Sequence, residues 1–186
     1  MEPMVFGLYE KALPHGLSLA EKLSLAGRAG FDYLEISVDE TQEKLTRLSN
    51  DDFLREAQSA MRKTNVPIKS ICLSGHRKYP LGSRDAHTRE KSLWIMRQAI
   101  QLASALGIPI IQLAGYDVYY ESSGPDTQAY FCENLAKCVE MAAAGGVMLA
   151  FETMETPFMN TVEKAIAFLN VIRSPYLQVY PDIGNV

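Results

Sequence analysis

Short apolar runs suited to strands alternate along the chain with longer stretches whose apolar residues recur at helical spacing. Met4 to Tyr9 reads as a first strand. Ser18 then caps a helix reaching about Ala29, with Glu21 three residues on as a capping-box partner and Gly27 and Gly30 at its close. Phe31 to Val38 is the second strand, and a charged loop, Asp39 to Asn50, leads to a helix from about Asp51 to Lys63. Asn65-Val66-Pro67 turns into a third strand, Ile68 to Ser74, and a polar loop from Gly75 to Asp85 precedes a long helix, Ala86 to Leu106. The fourth strand runs from Ile110 to Gly115, the fourth helix from about Asp126 to Ala144, and the fifth strand is the apolar run ending at Glu152. A helix from about Thr161 to Ile172 and a sixth strand, Leu177 to Asp182, complete the series.

This repeat of roughly 30 to 40 residues per βα unit predicts an α/β domain with a parallel sheet, either a β/α barrel or a doubly wound sheet. The doubly wound reading needs a Gly-rich turn after a strand, and neither GxGxxG nor GxxxxGK[ST] occurs, so the barrel is preferred. No linker, low-complexity tract or charge block interrupts residues 1 to 186, which predicts one domain. A closed eightfold TIM barrel takes about 250 residues. Five βα units and a sixth strand are therefore expected to be an incomplete barrel, the N-terminal two-thirds of a longer one.

Chemistry enters with the fifth strand. Leu149-Ala150-Phe151-Glu152 sets a carboxylate into an apolar run between Gly145-Gly146 and Pro157. Burying an ionised carboxyl group is costly unless a cation or hydrogen-bond donors meet it. Either Glu152 points inward and carries a metal or a proton, or it is an exposed acid where the strand frays. The sixth strand favours the first reading, because it too ends on an acid, Asp182. Carboxylates delivered to one rim by successive strands make a two-oxygen half-site for a divalent cation, and that rim is where barrel enzymes keep their chemistry.

Composition narrows the partners. A net charge of -4 with no long basic run argues against nucleic acid. Cys72, Cys132 and Cys138 form no CxxC pair, which suits structural thiols in a reducing compartment. No apolar run reaches the roughly 18 residues of a membrane helix and no signal peptide opens the chain, so the cytoplasm is the expected compartment and no membrane partner is expected.

Several stretches resemble one family. They are Gly7-Leu8-Tyr9-Glu10-Lys11-Ala12-Leu13, Ser37-Val38-Asp39-Glu40, Leu73 to Arg77, Gly82 to Asp85, Ile111 to Glu121 and Tyr180 to Asn185. Together they are similar to the L-ribulose-5-phosphate 3-epimerases (L-xylulose-5-phosphate 3-epimerases) of the xylose-isomerase-like sugar phosphate isomerase/epimerase family. The resemblance implies a metal held by a Glu on strand five, an Asp on strand six, a His on strand seven and a Glu on strand eight. Glu152 and Asp182 match the first two, and the others would lie beyond Val186. It implies that Glu152 also exchanges the C3 proton of a ketopentose phosphate on one face, with the strand-eight Glu on the other. A divalent ion (Mg, Mn, Zn or Co), a sugar phosphate substrate and a role in L-ascorbate or related pentose catabolism follow from the same resemblance.

Other rim residues are candidates for substrate contact: His76 and Arg77 after strand three, Tyr9 and Glu10 after strand one, Ser37, Tyr116, Glu155 and Asn185. Arg77 and Arg84 are placed to grip a phosphate by charge-assisted hydrogen bonds, or else are solvated loop charges. Open sheet edges would invite a homodimer. The rival readings are a hexulose-phosphate isomerase or a metal-dependent endonuclease on the same barrel, and an inactive truncated fragment.

Overall fold

The computed structural model describes residues 4–185. Its strands are β1 (Gly7–Tyr9), β2 (Tyr33–Ser37), β3 (Ile68–Leu73), β4 (Ile110–Ala114), β5 (Met148–Glu152) and β6 (Leu177–Tyr180). Its helices are α1 (Leu19–Arg28), α2 (Gln42–Thr46), α3 (Asp51–Thr64), α4 (Ala86–Leu106), α5 (Pro125–Gly145) and α6 (Val162–Ile172). The strands form one parallel sheet in chain order, as the alternating pattern predicts.

The second, third and fourth strands are one to three residues shorter than expected, and three further differences bear on the site. The first strand begins at Gly7, and Met4, Val5 and Phe6 are exposed. The charged loop after β2 contains a helix: Thr41 caps α2 by accepting a hydrogen bond from the Lys44 N–H, and a 3-10 turn, Arg47–Ser49, follows. Its five residues are too few to show a helical period. Asp182 lies two residues beyond β6, after Pro181, which has no N–H to extend the ladder. The Ser18–Glu21 capping box is present as read, with the Ser18 N–H and hydroxyl both donating to Glu21, at 2.8 and 2.7 Å.

Side chains alternate across the sheet with period two. Leu34, Ile36, Ile71, Ile111, Leu149 and Phe151 point into the layer shared with the helices and are fully buried. The alternate residues, Tyr9, Glu35, Cys72, Gln112, Glu152 and Tyr180, line a cleft on the opposite face. The sheet is curled around that cleft. The Tyr180 hydroxyl donates to Glu35 Oε2 at 3.2 Å, although β6 and β2 are four strand positions apart. In a flat sheet that separation is roughly 19 Å, further than the two side chains reach.

Beneath β5 an aromatic cluster ties the strand to its helices. Phe151 packs 6.1 Å from Phe131 of α5 and 5.8 Å from Phe168 of α6, and Phe158 closes the group edge-on to Phe131 at 5.2 Å. The register of β5 is thereby pinned, and Glu152, one residue on, must face the cleft. Phe151→Ala is expected to cost about 4 kcal/mol through the cavity it leaves, read as a lowered urea midpoint. A loss under about 1 kcal/mol would mean that the cluster collapses to fill the space.

Candidate active and metal site

The inward end of β5 meets the loop after β6. Glu152 pairs in register with Ala114 on one side and Tyr180 on the other, so a small neighbour leaves it room. Gly115 keeps the same approach open, since a Cβ there would stand 2.4 Å from the Glu152 carbonyl oxygen and 2.5 Å from Met159. Asp182 is held by its own loop: Gly184 N–H donates to Oδ1 at 2.7 Å and Asn185 Nδ2 to Oδ2 at 3.0 Å. Buried Thr153, next to Glu152, accepts from the Asp182 N–H at 2.9 Å, and its carbonyl accepts from Asn185 Nδ2 at 3.0 Å. The two acid-bearing loops are thus laced together by main-chain and amide bonds.

Charge in the cleft is unbalanced. Burial, then the Asp182 charge, then the Glu35 charge push the Glu152 carboxyl up to about 7, against the Gln112 amide beside it, which works the other way. Burial likewise raises Glu35, opposed by hydrogen bonds from Ser70 Oγ at 2.6 Å and from Tyr180. Three acids therefore line a space of about 410 Å³, with the cations Lys11 and Arg77 among its other walls. A divalent cation between Glu152 and Asp182 would relieve the repulsion. Gln112 Oε1, buried without a hydrogen-bond partner, offers a further oxygen on the cleft wall. The donor set is all oxygen, which suits a hard divalent ion. Among the described residues no three of His, Cys, Asp and Glu gather into a group that could hold a metal ion by themselves.

The structure brings Tyr9, Arg77, Glu152 and Asp182 to this cleft, as read from the sequence. The other candidates are placed elsewhere. Glu10 turns away from the cleft into a buried ion cluster, where Lys22, Lys44 and Arg47 donate to it at 2.7–2.9 Å and the Ser37 N–H at 2.9 Å. His76 is buried against α4 with Nε2 3.2 Å from the Ser92 carbonyl oxygen, and burial pushes it down to about 4, so it is a neutral packing residue. Arg84 is exposed and forms a two-pronged pair with Asp126 at the start of α5, at 2.7 and 2.8 Å, far from a phosphate-binding role in the cleft.

Ser37 is fully buried and accepts from the Tyr9 hydroxyl at 3.4 Å, so it orients Tyr9 from behind. Tyr116 lies buried beside Tyr119, at 5.1 Å between rings, and Tyr119 in turn carries the Arg77 guanidinium 5.2 Å above its face. Glu155 is exposed and outside the cleft lining, and Asn185 spends its amide on Asp182 and Thr153. Lys11, Glu35, Ser74, Gln112 and Tyr180 line the cleft without having been singled out. Gln112 and Glu35 carried a signal, as polar residues at inward positions of otherwise apolar strands.

Comparison with known proteins agrees with this architecture. The family profile described as xylose isomerase-like TIM barrel matches residues 23–186. The chain belongs to that family. It is 48% identical over 184 residues to an L-ribulose-5-phosphate 3-epimerase UlaE of Shigella boydii serotype 18, a match covering 97% of this chain and 64% of the relative. A Salmonella heidelberg protein of the same name is 47% identical over the same shares. The chain thus spans just under two-thirds of the length of these curated relatives. Among solved structures, the D-allulose 3-epimerase of a Methylomonas species, in complex with D-allulose, superposes with a TM-score of 0.78 at 21% identity, over 96% of this chain and 62% of that one. A xylose isomerase-like TIM barrel protein of Mycobacterium smegmatis in complex with magnesium gives 0.70 at 19%, over 95% and 59%. These distant likenesses show the fold.

Two expectations follow from the charges. The Glu10 carboxyl is pushed upward by burial, but hydrogen bonds from Arg47 and Lys22 overturn this and hold it well below its ordinary 4.5. Its stabilisation is therefore present above pH 4.5 and lost as pH falls toward its folded value. Glu10→Gln should cost about 3 kcal/mol at neutral pH, because three cations lose their counter-charge, and should flatten the acid limb of stability against pH. For Glu152 the sign is opposite. Its raised folded pKa means that in the metal-free protein this group's own contribution to stability falls as pH rises from 4.5 toward about 7, opposite to that of the buried, depressed His76. Glu152→Gln should remove that falling contribution, so that stability of the chelator-treated variant rises more steeply with pH than that of the unaltered chain in thermal melts, and an unchanged pH profile would reject the raised Glu152 carboxyl.

Proposed function

We propose that this chain carries the first metal ligands and one proton-transfer group of a metal-dependent 3-epimerase acting on a ketopentose 5-phosphate, L-ribulose 5-phosphate or L-xylulose 5-phosphate. The observation that carries the reading is the meeting of Glu152 and Asp182 from consecutive strands at a cleft that Lys11 and Arg77 also line. The relatives named L-ribulose-5-phosphate 3-epimerase, alike along nearly all of this chain, support the choice of sugar.

Epimerisation at C3 removes a proton next to the C2 carbonyl and returns one on the opposite face. Glu152 is suited to one half of that exchange. Burial and the neighbouring acids hold its carboxyl up to about 7 without a cation, and a cation beside it would favour the carboxylate that accepts the C3 proton. Glu152 and Asp182 would hold the divalent cation, which would supply Lewis-acid stabilisation of the negative charge that develops on the sugar oxygens. Asp182 keeps its orientation through Gly184 and Asn185, so it serves as a fixed ligand. Tyr9 and Gln112 face the sugar hydroxyls from the cleft walls. Arg77, braced on Tyr119, and Lys11, paired with Asp39 at 2.9 Å, face the phosphate. In this reading the carboxylate of the opposite face and the remaining metal ligands are supplied from outside these residues.

Glu152→Gln should lower turnover of L-ribulose 5-phosphate by about a hundredfold or more, the usual worth of a positioned acid-base group. Arg77→Met should instead raise KM for the phosphorylated sugar with kcat much less affected, and the same variant should not change handling of an unphosphorylated ketopentose. Divalent-metal titration by calorimetry is independent of turnover. Unchanged affinity in both Glu152→Gln and Asp182→Asn would sink the metal assignment, and preference for a hexulose 6-phosphate would redirect the reading to a different sugar isomerase.

A further inference from the structure

A second cleft, of about 510 Å³, lies outside the sheet between α1, α2 and α3. Lys11 is the residue it shares with the cleft that holds Glu152 and Asp182. Its inner end is the Glu10 cluster. Lys22 Nζ and Lys44 Nζ both donate to Glu10 Oε1, at 2.8 and 2.9 Å, and Arg47 spans both carboxylate oxygens at 2.9 and 2.7 Å. The side chains of the three cations are only 7%, 13% and 15% exposed, and that of Glu10 1%. Three positive charges thus converge on one negative charge in a sheltered place, a local surplus of two.

Glu10 cannot absorb that surplus, because its two oxygens already accept five hydrogen bonds. Each ammonium carries three donors, and among the described residues each spends one on the protein. All three cations line the cleft. Neutralisation does not come from the other acids lining it. Asp39 is paired with Lys11, Asp52 with Arg55, and Glu43 and Glu56 are solvated at the exposed rim, where charge is screened.

We propose that this outer cleft binds a small phosphate-type dianion, either inorganic phosphate or a phosphate monoester, on Lys22, Lys44 and Arg47. The charge of the ligand equals the surplus it would neutralise, and tetrahedral oxygens take up the divergent spare donors of two ammonium groups and a guanidinium. The cleft measures about 510 Å³ and its three cations are only 7–15% exposed at its inner end, so the class is a small ligand rather than a nucleic acid. The site is independent of the epimerase reading, since none of its three cations lines the other cleft.

The test is titration of inorganic phosphate into the intact chain at constant ionic strength, following the side-chain N–H signals of Lys22, Lys44 and Arg47 by NMR. Saturable shifts of these signals are expected, with acetate at equal concentration shifting them less. Lys44→Met, which keeps the aliphatic stem and leaves two cations for Glu10, should weaken phosphate binding about tenfold or more, the worth of one charge-assisted contact. Arg77→Met, in the other cleft, should leave these shifts unchanged. Absence of saturation, equal response to acetate, shifts confined to Arg77 and Lys11, or wild-type affinity in folded Lys44→Met would each overturn the proposal. Should Lys44→Met fail to fold, the shift map of the unaltered chain decides.

Discussion

The curl of the parallel sheet is the constraint on which the rest depends. Period-two alternation sends every second side chain of each strand to one face. On a flat sheet those residues would be spread along a surface. Curled, they face one another, and Tyr180 on the last strand reaches Glu35 on the second. The acids of β2 and β5 and of the loop after β6 then occupy one space with Lys11 and Arg77. Apolar packing supplies the driving force from the other side, where fully buried aliphatic residues and the phenylalanine cluster hold the strands on their helices.

Two sites of charge imbalance result, opposite in sign. In the inner cleft carboxylates outnumber cations, so Glu152 rises toward neutrality and a cation is wanted. At the sheltered inner end of the outer cleft Lys22, Lys44 and Arg47 face the single carboxylate of Glu10, although four further acids line its outer part. A folded chain tolerates neither at low dielectric without a partner ion, solvent or a shifted pKa. Glu10 also shows how one residue ties site to scaffold, since its carboxylate accepts the N–H of Ser37, which in turn orients Tyr9.

Much of this was legible before any coordinates. The order of strands and helices, the Ser18–Glu21 cap and the pairing of Glu152 with Asp182 all rest on local rules: capping chemistry, periodicity, and acids at strand ends. The misplacements share one cause. Glu10, His76 and Arg84 were ranked by lying on rim loops, and loop membership does not say which way a side chain turns. Glu10 met three cations from elements up to 37 residues away. His76 found the apolar side of α4, and Arg84 found Asp126 across the start of α5.

By itself the sequence determined the class of architecture and the residues able to carry chemistry, because periodicity and capping act over a few neighbouring residues. Direction was decided only by tertiary structure. Whether a polar residue meets the inner cleft, the outer cleft or a helix depends on sheet curvature and on partners distant along the chain. Glu10 and Glu35 show it: one follows β1 and the other lies within β2, yet the first is buried among cations and the second stands beside Glu152. The physical reason is that electrostatic and packing energies depend on separation in space, which local spacing along the chain does not set.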